Sequence, residues 1–195
     1  MKRIFAILLA LALALSLMAC GTSGGSTNTN TNTSTGAEGT AAQTASLLAT
    51  TVEAPDLTDA TVILLGGDTV QITGSGAAEE NGTVTITAGG VYVIKGTLDD
   101  GRVVVNAPGE EVTLALENAD LTCSDSSPLY IYKASSVLLW LPEGSASTLT
   151  DGGSYVFDDD WSSAEEDEPN ACLYSKADLI IAGGGALTVN GNYNN

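Results

Sequence analysis

Three stretches of this chain follow one plan. "RVVVNAPGEEVTLALENADLTCSD" begins at Arg102, "PLYIYKASSVLLWLPEGSASTLTD" at Pro128 and "ACLYSKADLIIAGGGALTVNG" at Ala171. Each is an apolar or β-branched run, a turn, a second run, a Gly- or Asn-containing turn and a third run. Val112 corresponds to Val137 at a step of 25, and Val137 to Leu179 at a step of 42. The longer interval contains an acidic insert of about 20 residues, and without it the step falls near 22, a spacing typical of stacked repeats. No segment has helical periodicity, so strands dominate. Short strands repeating without helices predict an all-β solenoid, a parallel β-helix. A β-sandwich is the alternative for regularly spaced strands. In the stacked reading Val112, Leu114 and Leu116 face the interior, with Val137, Leu139 and Leu141 on the next layer and Leu179 and Ile181 on the third. Thr113, Ala115 and Glu117 are expected to face out. The chain stops after "LTVNGNYNN" without a visible capping repeat, so the solenoid is expected to be truncated at its C-terminus or to stack on a partner.

The start of the chain has another purpose. "MKR" precedes the apolar "IFAILLALALALSL", which is too short for a comfortable membrane span and reads as a secretory signal over residues 1–20. "LMAC" resembles a bacterial lipobox, which implies cleavage before Cys20 and lipid attachment to its sulfur. Residues 21–55 form a tether, low in complexity and rich in Gly, Ser, Thr and Asn over their first part. Residues 56–195 are expected to form one domain. A lipid-anchored, extracytoplasmic, surface-exposed protein is the expectation.

Charge excludes several function classes. The net charge is −18, and removal of Lys2 and Arg3 with the leader takes it to −20. Such a surface repels nucleic acid and anionic membranes, so a membrane is touched only through the anchor. The absence of histidine excludes histidine catalysis and histidine metal sites. Cys123 and Cys172 have no metal-ligand spacing; they could pair in an exported protein or stay as buried thiols.

The insert between the second and third stretches concentrates charge. Seven of the eleven residues in "DDDWSSAEEDE", Asp158 to Glu168, are acidic. A loop thrown out from a rigid scaffold is a usual place for function. So many carboxylates cannot stay ionised and close together without counter-charge. Either the loop is a solvated acidic face, or Asp158, Asp159, Asp160, Glu166, Asp167 and Glu168 offer oxygens to a hard cation such as calcium. The spacing is not that of an EF-hand, because Ser163 and Pro169 stand where glycine and a bidentate Glu are needed. Trp161 lies inside the cluster and Trp140 on an outward strand position; exposed aromatic faces can stack on sugar rings, or each can serve as cover for the other. Lys133 and Lys176 fall at near-equivalent positions of successive repeats, at the roughly 4.8 Å spacing of neighbouring strands. Two ammonium groups so placed need an anion, either Asp178 or the acidic loop, or the carboxylate of a uronate ligand.

The ordered runs "GVYVIKGTLDDGRVVVNA", "VTLALENADLT", "PLYIYKASSVLLWLPEGSASTLTDG" and "EPNACLYSKADLIIAGGGALTVNGN" are similar to a family of exported bacterial carbohydrate-binding proteins over about residues 60–195. The resemblance implies a right-handed parallel β-helix that carries calcium and binds pectin, a polygalacturonate. Where "SKDDL" is usual in that family this chain has "SKADL", so Ala177 stands in place of a carboxylate. The expected function is therefore calcium-assisted, non-catalytic binding of an acidic polysaccharide at the cell surface. Two rivals are a β-helical polysaccharide lyase, which needs a base beside its cation, and a structural or adhesive surface repeat protein.

Overall fold

The computed structural model describes residues 52–194. Cys20, the leader and most of the tether lie outside the described residues. Thirteen strands form two sheets, and no helix occurs among the described residues. The larger sheet holds β1 (Thr61–Gly67), β2 (Val70–Thr73), β5 (Gly90–Leu98), β7 (Glu111–Cys123), β9 (Ser136–Leu141), β10 (Ala146–Asp151), β12 (Asp178–Gly183) and β13 (Ala186–Asn190). The smaller holds β3 (Ala77–Glu80), β4 (Thr83–Ile86), β6 (Arg102–Asn106), β8 (Leu129–Lys133) and β11 (Leu173–Ser175).

The step of 25 is realised as parallel pairing of Val112 with Val137, and the next step as pairing of Val137 with Leu179. Inward residues of both sheets meet in one buried cluster: Tyr92, Leu114, Leu139 and Leu149 from the larger, Val103, Val105, Leu129 and Ile131 from the smaller. The strands read as they do because β-branched side chains suit a pleated, half-buried surface.

The expected right-handed parallel β-helix is corrected here: the chain forms two mixed sheets. β1 pairs antiparallel with β2, and β3 antiparallel with β4. The second hairpin has a local cause. Asn81 and Gly82 both have positive φ, at 51° and 79°, the backbone of the tight turn that matches strand twist. The signal was present as the dipeptide "NG" within "EENGTV".

Ala115 keeps the outward position expected of it, outside the core cluster that takes in Leu114 and Leu116, yet it is covered. Its side chain is fully buried, with Val93 and Trp140 as its ladder neighbours in the larger sheet. β7 itself bends at Asn118, whose φ is 54° and whose side-chain oxygen accepts from the Ala146 N–H at 3.0 Å. Before the bend β7 pairs with β9, and after it with β10.

Candidate functional site

The outward face of the smaller sheet gathers the polar side chains. Along β6, Val103 and Val105 point into the core, which leaves Arg102, Val104 and Asn106 for the other face. Ladder pairing sets Val104 beside Tyr130, and Tyr130 beside Tyr174. Yet Val104 and Tyr130 have no exposed surface. The connection from β10 to β11 supplies the cover, and the Tyr130 hydroxyl donates to the Trp161 carbonyl at 3.0 Å. Burial pushes the Tyr130 hydroxyl's pKa well up, with nearby Glu168 adding to the shift.

Arg102 ties that cover down. Its guanidinium donates to Ser126 Oγ at 2.9 Å and Thr83 Oγ1 at 3.4 Å, forms an ion pair with Asp159, and lies 5.7 Å from the Trp161 ring centroid. Burial raises the Asp159 carboxyl, but the hydrogen bonds from Arg102 and the Trp161 N–H outweigh it and hold the group below its ordinary range. Beside this contact runs a groove of about 520 Å³ lined by Glu80, Asn81, Thr85, Arg102, Asp158 and Trp161.

The second tie is Lys176 with Glu168. The hydrogen bond lowers the Glu168 pKa and raises that of Lys176. Lys133 Nζ lies 4.5 Å from the Tyr132 ring centroid and Lys176 Nζ 5.8 Å from the same ring, both within cation–π range. Of the anions considered for the two lysines, the loop supplies one, Glu168, and it pairs with Lys176 and not with Lys133. The ends of the loop are held separately. Buried Asp151 accepts from the Tyr155 hydroxyl at 2.7 Å, Tyr155 stacks on Tyr193 at 4.2 Å, and the Tyr193 hydroxyl donates to Asp167 at 2.7 Å.

The expected site residues therefore divide. Lys133, Lys176 and Trp161 join one face; Trp140 stands on the larger sheet, half-buried and away from them. Asp159, Asp167 and Glu168 are bound to Arg102, Tyr193 and Lys176, while Asp158, Asp160 and Glu166 are exposed. No three acidic or thiol side chains converge into a metal-holding group among the described residues, so the loop as folded does not fit a preformed calcium centre. Cys123 and Cys172 are free and buried; burial pushes their thiols up to about 11 and about 12. Arg102 and Tyr132 were not singled out from the sequence. The alternation in "RVVVN" and "LYIYK" would have placed both on the outward face.

Comparison with known proteins places this geometry in context. Residues 80–195 match a family described as carbohydrate-binding domain-containing protein. A protein of that description from Acetivibrio thermocellus is 41% identical over 113 residues, which cover 57% of this chain and 38% of the relative. A solved structure described as a polysaccharide lyase-like protein from C. thermocellum, gadolinium derivative, is 34% identical with a TM-score of 0.65. The likeness covers 69% of this chain and 53% of that one. This chain thus spans well under two thirds of either relative. The likeness to a lyase-like structure joins the mixed strand pairing in replacing the solenoid expectation.

Proposed function

The chain belongs to the family of carbohydrate-binding domain-containing proteins, and from that premise we propose that it binds an acidic polysaccharide, of polygalacturonate type, without cleaving it. One observation carries the reading. Four Lys and Arg side chains occur among the described residues, and three of them, Arg102, Lys133 and Lys176, gather at the smaller sheet beside Tyr132 and Trp161. A chain of net charge −18 has little cation to spare, so their concentration beside aromatic rings favours a ligand with sugar faces and carboxylates. Lys133 forms no ion pair among the described residues and is the cation most open to a uronate.

The same geometry argues for binding rather than elimination chemistry. Proton abstraction needs a basic group with a pKa near the working pH. Glu168 raises the pKa of Lys176, and the Arg102 guanidinium is taken up in its ion pair with Asp159. The lyase-like name of the solved relative supports a saccharide-facing surface. Calcium enters the proposal on charge grounds alone: exposed Asp158, Asp160 and Glu166 repel a polyuronate, and a hard divalent ion offsets that repulsion. Anchoring through Cys20 at the cell surface completes the proposal, with incorporation of labelled fatty acid as its check.

Titration calorimetry with octagalacturonate tests the function, with calcium and with chelator. Lys133→Ala together with Lys176→Ala is expected to weaken binding by about tenfold or more, from loss of charge-assisted hydrogen bonds. Unchanged affinity in that double variant sinks the assignment of the face. Equal affinity in calcium and in chelator removes calcium. Release of unsaturated products points to a lyase instead.

A further inference from the structure

We propose that the acidic loop is a built-in competitor for its own binding face, with Asp159 and Glu168 occupying on Arg102 and Lys176 the positions that ligand carboxylates would take. This rests on the reading of the smaller sheet's outward face as the glycan site.

The loop between Asp151 and Leu173 is the longest connection between strands. Its acids do not behave alike. Asp158, Asp160, Glu165 and Glu166 point to solvent, whereas the side chains of Asp159 and Glu168 are only 21% and 24% exposed and each meets a cation of the sheet. Two of the three cations on this face are therefore neutralised from within the chain. The contacts copy what a polyuronate offers, carboxylates spaced along a strand of backbone.

The rest of the loop is arranged so that its middle can leave without its ends. Asp151, Tyr155 and Tyr193 fix one end, and the Asn194 side chain donates to the Asn170 carbonyl near the other. The central contacts are the two ion pairs, the Tyr130–Trp161 hydrogen bond, the Arg102–Trp161 stack and the Tyr193–Asp167 hydrogen bond, which must open with them. An external carboxylate can replace either ion-pair partner without leaving Arg102 or Lys176 unpaired, so the exchange conserves charge contacts. When a site is open only part of the time, its apparent affinity falls in proportion to the open fraction. The loop then sets a threshold: a single uronate competes poorly, while a chain that meets Arg102, Lys133 and Lys176 together displaces it.

The test compares the wild-type chain with Asp159→Asn plus Glu168→Gln for octagalacturonate affinity. The double variant is expected to bind about tenfold or more tightly. Equal or weaker binding overturns the competitor. Glu165→Gln, the same charge change on an exposed acid of the same loop, is compared with Glu168→Gln alone. A gain from Glu165→Gln as large as that from Glu168→Gln assigns the effect to bulk charge and overturns the proposal. Hydrogen exchange on the unmodified chain is independent of any folding defect in the variants. Saturating octagalacturonate is expected to speed exchange at the amides of residues 158–168, and slowed or unchanged exchange overturns it. If the wild type binds but the double variant gains nothing, only the competitor falls; if neither chain binds any oligouronate, the glycan reading falls with it.

Discussion

Arg102 joins elements that are distant in sequence. Its guanidinium reaches Thr83, Ser126 and Asp159, and the last of these lies 57 residues away. Arginine suits the position because its planar fork presents several donors in fixed directions and stacks on an aromatic face. Arg102→Ala leaves Asp159 partly buried without its counter-charge, which is expected to cost on the order of 1–3 kcal/mol. Chemical denaturation measures it, and an unchanged midpoint refutes the role. The pH dependence follows from the same contacts. Asp159 and Glu168 both have lowered pKa values in the folded chain. A carboxylate lowered on folding contributes stability that is complete above its unfolded pKa, about 3.9 for Asp and 4.3 for Glu, and is lost as pH falls through the folded value. The loop should hold at neutral pH and loosen below about pH 4. Trp161 emission, read in a Trp140→Phe background, should shift to the red as pH falls further; emission that stays constant until the sheets themselves unfold would contradict the two ties.

At the scale of elements, backbone conformation decides where strands may bend. β5 changes register between Ile94 and Gly96 in its pairing with β7. Gly96 has a φ of 94°, and a Cβ there would lie 2.2 Å from the Leu65 carbonyl oxygen. Neither the dihedral nor the space admits a side chain. Gly96→Ala is expected to destabilise the domain by about 2–4 kcal/mol, combining left-handed strain with displacement of β1. A variant that melts with the wild type would show that β1 moves aside freely. The acidic loop obeys a different logic. It has no ladder of its own beyond the Ser163–Glu168 bridge, and is held by side chains instead. Such a segment opens more easily than the strands beneath it.

For the whole molecule, stability resides in the core between the sheets. Leu139 sits within it without exposure, flanked in the ladder by Leu114 and Ile181. Leu139→Ala should cost about 2–5 kcal/mol, the transfer term plus the cavity left behind. A loss under about 1 kcal/mol would mean that neighbouring layers collapse into the gap. Ile181 and Val189 lie at the last layer of the larger sheet and are 49% and 48% exposed, so the same substitution there should cost much less.

Strand content, inward alternation and the pairing step were determined by the sequence alone. β-branched runs and a period of two are local properties, and repeats of like length align when stacked. The "NG" turn was equally local, though only the structure drew attention to the antiparallel start it imposes. The tertiary structure decided the rest. It set two mixed sheets in place of a solenoid, put Trp140 and Trp161 on different surfaces, and brought Lys133 and Lys176 to one tyrosine ring. It also turned Asp159 and Glu168 inward and left their neighbours in water. The reason is physical. A run of acids repels itself whatever its order, so the members that find a cation are chosen by the sheet beneath them, whose cations come from strands far away in sequence.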